Sequence, residues 1–125
     1  MEKSRQSKDQ QQISSLATSM VSAIAQDDSF DLATKAATAD ITFELSKTNL
    51  TDKTSATIES TFAELCGQAD TDAVVTKVKS KFTSKKAKAS GNKLYVTLKA
   101  DGSVTIGLVT AAGTPASAKL TVTTE

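Results

Sequence analysis

Leu94-Tyr95-Val96-Thr97-Leu98-Lys99-Ala100-Asp101-Gly102-Ser103-Val104-Thr105-Ile106-Gly107-Leu108-Val109 is the stretch that decides the fold of this 125-residue chain. Two runs rich in β-branched residues, each reading as a strand, flank Asp101-Gly102, a pair that tolerates the positive φ values of a hairpin turn. A loop from Ala111 to Pro115 follows. Leu120-Thr121-Val122-Thr123 then alternates as a third strand. A three-stranded meander needs one face covered, and only the segments before it can cover it.

Those segments have helical spacing. Ile13, Leu16, Met20 and Ile24 recur as one apolar stripe, with Ala17 and Val21 beside it. Asp27-Asp28-Ser29 reads as a break, with Ser29 capping a second helix that carries Phe30, Ala33, Ala37, Ile41 and Leu45 to about Lys47. The alternation of Ile41-Thr42-Phe43-Glu44-Leu45 leaves a strand at 40–47 as the competing reading. Thr48 to Thr51 is a connection. Thr51 or Thr54 caps a third helix with Ile58, Phe62, Leu65 and Cys66 on its face, and Gly67 stands where a left-handed residue ends it. Asp70-Thr71-Asp72 caps a fourth helix lined by Val74, Val75, Val78 and Phe82, whose valines also permit a strand.

The expected architecture is therefore α+β: N-terminal helices packed on one face of a C-terminal three-stranded antiparallel meander. Residues 1–12 read as a polar, flexible segment or a helical extension, because Gln10-Gln11-Gln12 and mixed charge offer nothing to bury. Residues 13–125 read as a single domain, helical over 13–83 and β-rich over 93–124.

Ala, Ser and Thr supply 52 of the 125 residues and Trp is absent. Such a core is built from small pieces, so contacts between copies would bury surface that one chain cannot. The lone Cys66 forms no internal disulfide. The start lacks the apolar stretch of a secretory signal, and no run reaches the length of a membrane span. The expected location is the cytoplasm or a virion, without classical secretion.

The net charge of +1 hides an imbalance. Residues 1–72 carry 6 basic and 12 acidic side chains, and residues 73–125 carry 9 basic and 2 acidic. The two parts thus stand at −6 and +7. No acid occurs from Ala73 to Ala100, where Lys77, Lys79, Lys81, Lys85, Lys86, Lys88, Lys93 and Lys99 lie.

Catalytic constellations are missing from the sequence. The chain has no His, which removes Ser-His-Asp and Cys-His sites and histidine-ligated metals. It has no phosphate-cradling glycine loop. Asp27-Asp28-Ser29-Phe30-Asp31 has a spacing used to hold magnesium, but a helix boundary explains it more simply. Cys66 reads as a buried small hydrophobe, and Tyr95 as a cross-strand partner rather than a base-stacking surface. No catalytic residue, metal site or cofactor is expected.

The lysines from Lys77 to Lys93 are the expected interaction residues. They suit an acidic surface of another copy or of another assembly subunit. They suit a polyanion less well, because the absence of Arg among them argues against specific nucleic-acid recognition, and a plain solvated face that serves only solubility is the third reading. The reading that follows is a non-enzymatic assembly protein making homo-oligomeric or multi-copy contacts, such as a small component of a phage particle. A sequence-blind nucleic-acid-binding accessory protein is the alternative.

Overall fold

A computed structural model describes residues 1–124. Six helices and four strands follow one another as α1 (Glu2–Ala25), α2 (Leu32–Lys35), β1 (Ile41–Glu44), α3 (Lys47–Lys53), α4 (Ala56–Leu65), α5 (Thr71–Lys81), α6 (Lys85–Lys88), β2 (Lys93–Leu98), β3 (Val104–Val109) and β4 (Thr121–Thr124). A single 3-10 turn, Ala118–Leu120, leads into the last strand. The fold is α+β, as the periodicities indicate. Among the described residues no helix is long and apolar enough to cross a membrane.

The sheet is antiparallel with strand order β1-β2-β3-β4, four strands where three are expected from the alternation. The additional strand is the segment read first as helix: Ile41 pairs with Leu98 and Phe43 with Val96. Helix after Asp31 stops at Lys35. The free edge of β2 decides the matter, because pairing there satisfies a row of backbone groups and places Phe43 in the core. In β2, Leu94, Val96 and Leu98 face inward, and in β3, Val104, Ile106 and Leu108 do. The opposite face carries a row of threonines, with hydroxyl contacts of 3.2 Å between Thr42 and Thr97 and 2.8 Å between Thr105 and Thr123.

At the β2–β3 turn only Gly102 takes positive φ, at 92°. Its N–H donates to Lys99 O at 3.0 Å, and the Lys99 N–H donates to Ser103 O at 3.1 Å. This is a three-residue loop closed by a glycine bulge, so Asp101 is spared the left-handed region. Its carboxylate instead accepts from the Ser103 N–H at 2.9 Å.

Helix α1 lies on β3 and β4, α4 packs against α1, α3 sits beside α4 and β1, and α5 closes the layer against α4. Ile13, Leu16, Ala17, Met20 and Ala23 of α1 are buried, as their spacing requires. Each of the later helices starts on a side-chain cap: Ser46 for α3, Ser55 for α4, Asp70 for α5 and Ser84 for α6. The segment 48–51, read as a connection, is the body of α3, with Leu50 buried. Gly67 ends α4 at φ 74°. The Gly67 N–H donates to Glu64 O and that of Gln68 to Ala63 O, the paired bonds of a Schellman end.

Residues 1–12, read from sequence as flexible or as an extension, hold the first three turns of α1. Glu2, Gln6 and Asp9 continue the 4-3 spacing of Ile13, Leu16, Met20 and Ala23, so they occupy the same face of the helix. What this face buries there is polar. Asp9 is wholly buried and accepts from the N–H groups of Thr83 and Ser84. Glu2 accepts from the Lys85 N–H at 3.0 Å, and Gln6 from the Ser117 hydroxyl at 2.8 Å.

Candidate functional site

The acidic and basic side chains are used in different ways. Many of the carboxylates in residues 1–72 are bound to backbone N–H groups that a helix start leaves without partners. Asp9 and Glu2 serve the start of α6. Buried Glu59 accepts from the N–H and hydroxyl of Thr71, each at 2.9 Å, at the start of α5. Asp72 accepts from the Lys47 N–H at 2.9 Å, at the start of α3. Asp27 takes the N–H and hydroxyl of Ser29 on one oxygen and the hydroxyl of Ser55, the cap of α4, on the other. Within the Asp27-to-Asp31 motif, Asp27 is thus a structural clasp, while Asp31 accepts from the Thr34 hydroxyl at 2.6 Å and Asp28 is exposed. Among the described residues no group of three His, Cys, Asp or Glu side chains could hold a metal ion.

Two of these carboxyls show the consequence in their acidity. The hydroxyls of Ser29 and Ser55 hold Asp27 below its ordinary value near 3.8. The Lys85 N–H, followed by the Gln6 amide, holds Glu2 below 4.5. A depressed carboxyl adds stability that is complete above its ordinary value and is lost as pH falls through the lowered one. Urea stability is therefore expected to drop on acidification below about pH 4. Asp27→Asn should make that drop shallower, which unfolding curves across the acid range will measure; an unchanged slope would remove Asp27 from the explanation.

The lysines, by contrast, are surface groups. Lys77, Lys79 and Lys81 lie on α5, Lys85, Lys86 and Lys88 on α6, and Lys93 opens β2, all exposed. Lys79 and Lys81 stand in the last turn of α5, where the helix dipole favours cations. Lys79 and Lys88 come together beside Phe82 and Asn92 around one shallow depression. Lys77 and Lys81 line a different groove, shared with α1 and the end of α4. Lys93 stands apart, 3.6 Å from Glu44 on the outer sheet face. Among the described residues, the other six expected interaction lysines make no ion pair within 4.0 Å.

Sequence reasoning missed four further cations at this end of the molecule. Lys3, Arg5 and Lys8 are exposed on the first turns of α1, and α1 is fastened there to α6 through Glu2 and to residues 83–84 through Asp9. Lys119 reaches the Ser7 hydroxyl at 2.9 Å. Reading residues 1–12 as flexible kept these apart; the 4-3 continuation through Asp9 was the signal that could have joined them to α6.

The far end of α1 has the opposite character. Asp28 and Asp31 are exposed there, and with Asp101 of the β2–β3 turn they border one surface hollow. Asp40 and Asp52 border the neighbouring hollow, diluted by Lys35 and Lys53. Helix α1 has 24 residues and separates the two ends by about 36 Å.

The remaining candidates are structural. Cys66 is half-buried, and burial pushes its thiol up against a smaller opposing bond from Ser19, which keeps it in the protonated form at neutral pH. Tyr95 is half-buried between Glu44 and Gly107 in register. Phe82 is buried, so it makes no stacking platform with Tyr95. Comparison of the chain with protein-family models, with curated proteins and with solved structures finds no match.

Proposed function

We propose that this chain is a non-enzymatic assembly protein whose copies associate end to end. The lysine-rich end of one copy meets the carboxylate-bearing end of the next. The single observation that supports this reading is the separation of exposed cations and exposed carboxylates along α1. Lys3, Arg5, Lys8, Lys85, Lys86, Lys88 and Lys119 lie at one end, and Asp28, Asp31 and Asp101 at the other, where Lys99 beside Asp101 and Lys35 and Lys53 beside Asp40 and Asp52 offset them in part. Opposite charge at such ends steers encounter and fixes orientation. A contact between two different patches does not close on itself unless the rotation allows it, so it favours chains or rings over a symmetric dimer. The absence of His and the commitment of the buried carboxylates to backbone donors fit a scaffold rather than a catalyst.

The test is the triple variant Lys85→Glu, Lys86→Glu, Lys88→Glu. These side chains are exposed on a one-turn helix, so the fold should persist, as circular dichroism will report. Association at low ionic strength should weaken by about tenfold or more in sedimentation velocity, since each reversal replaces attraction with repulsion. Association at the native level would exclude this end from the contact.

A second reading is sequence-blind binding of nucleic acid, favoured by the lysines that make no ion pair among the described residues. Titration of the native chain with duplex and single-stranded DNA at two salt concentrations decides it. Strong salt dependence would support it, and no affinity at low salt would end it.

A further inference from the structure

Asn92 carries the one buried side-chain polar atom among the described residues that makes no hydrogen bond. The residue stands just before β2 and is 5% exposed. Its amide nitrogen donates to Lys86 O at 2.7 Å and to Ala87 O at 3.3 Å, on α6. Those two carbonyls fix which way the amide points, since an oxygen in place of the nitrogen would face two acceptors. The other end of the amide, Oδ1, accepts from nothing. A buried acceptor without a donor is costly, and native folds rarely leave one.

Asn92 also lines the depression where Lys79 and Lys88 come together. Buried Phe82 and Ala87 give it an apolar floor, and its volume of about 350 Å³ suits one small ligand unit. No carboxylate lines it. The nearby carboxylate of Glu2 is engaged by the Lys85 and Lys86 N–H groups at the start of α6. The depression thus offers two cations and one unserved acceptor. Its complement is an anion with a hydrogen-bond donor close to the charge. A fully ionised carboxylate or phosphate accepts only, and leaves Oδ1 unserved. A ribonucleotide supplies both parts: a phosphate for the lysines and a 2′-hydroxyl that can donate.

We infer that the depression holds one ribonucleotide unit of a single strand, its phosphate between Lys79 and Lys88 and its 2′-hydroxyl donating to Asn92 Oδ1. This rests on the nucleic-acid reading above and names the strand selected, RNA in preference to DNA. Lys85 and Lys86, exposed on the adjoining α6, meet phosphates further along the strand. The sugar is read and the base is not, because buried Phe82 offers no stacking face. Binding therefore stays blind to sequence.

The test titrates the full-length chain at low salt with three single strands of about 12 nucleotides. They are oligo(U), its 2′-deoxy form and its 2′-O-methyl form, followed by fluorescence anisotropy. The methyl ether keeps the 2′ oxygen and removes the donor. Oligo(U) should bind about fivefold more tightly than either of the others, the worth of one neutral hydrogen bond. The side-chain amide signals of Asn92 should move in nitrogen–proton NMR spectra with oligo(U), and less with the other two. Lys79→Ala combined with Lys88→Ala, both at exposed positions, should weaken all three and lower the salt slope by about two. Uridine monophosphate separates a strand from a free nucleotide: it should bind more weakly than oligo(U), and equal binding would overturn the strand. Equal affinity for the three oligomers, or Asn92 signals that stay fixed, would overturn the site while leaving sequence-blind binding standing. No affinity for any of them would overturn both.

Discussion

Replacing Phe62 by Ala is expected to cost about 3–5 kcal/mol of folding stability. Phe62 is fully buried on α4 and heads the largest enclosed side chains of the molecule. The core it belongs to is continuous from the helices to the sheet, with Ile13, Met20, Ile58 and Ile106 also at 0% exposure. Close-packed surroundings refill a vacated space only in part, so a cavity cost adds to the lost transfer free energy of the ring. A domain of this size has about 5–15 kcal/mol in total, so the variant should unfold at a much lower urea concentration. Phe62→Leu keeps most of the volume and should lose only about 1 kcal/mol. Equal midpoints for Phe62→Ala and the native chain would mean that the helical layer around α4 packs otherwise.

Asp9→Ala should cost about 2–3 kcal/mol and release the first turns of α1. The carboxylate is at 0% exposure and holds the Thr83 N–H at 2.9 Å and the Ser84 N–H at 2.8 Å. Without it, the Ser84 donor is left in a buried place with no acceptor, whereas that of Thr83 can turn to water. The loss has a local signature besides the global one. Amide exchange should accelerate over residues 2–8 and 83–88, since the Glu2 contacts to Lys85 and Lys86 depend on the same docking. Asp9→Asn keeps one oxygen acceptor and should lie between the two. Unaltered exchange over residues 2–8 in Asp9→Ala would show that the Asp9 clasp does not hold this segment.

Much of the fold was legible because its signals were local. The meander could be read from alternation around Asp101-Gly102, the ending of α4 from Gly67, and the start of α5 from Asp70. The first strand was ambiguous because Ile41 to Leu45 fits both periods and the deciding partner, the edge of β2, lies more than 50 residues away. Local sequence cannot express that choice. Helix α3 was hidden for a related reason: its start is completed by Asp72, 25 residues downstream.

The candidate surface was half legible. The exposure of Lys77 to Lys93 could be anticipated, because a lysine is almost never fully buried without a partner. The excess of acids in residues 1–72 could not be converted directly into a surface. Asp9 and Glu59 are buried, and Asp27 nearly so, each spent on donors that only the folded chain brings near. The outer acidic end is therefore weaker than a count of side chains suggests, and the basic end stronger, since Lys3, Arg5 and Lys8 join it through the docking of α1.

Sedimentation velocity of the unaltered chain, over a range of concentrations at about 20 mM and about 500 mM salt, bears most directly on whether oppositely charged ends join copies together. The Debye length falls from roughly 20 Å to roughly 4 Å between these conditions. Species larger than a monomer should grow with concentration at low salt and disappear at high salt. A single monomeric boundary at every concentration in low salt would contradict the proposal.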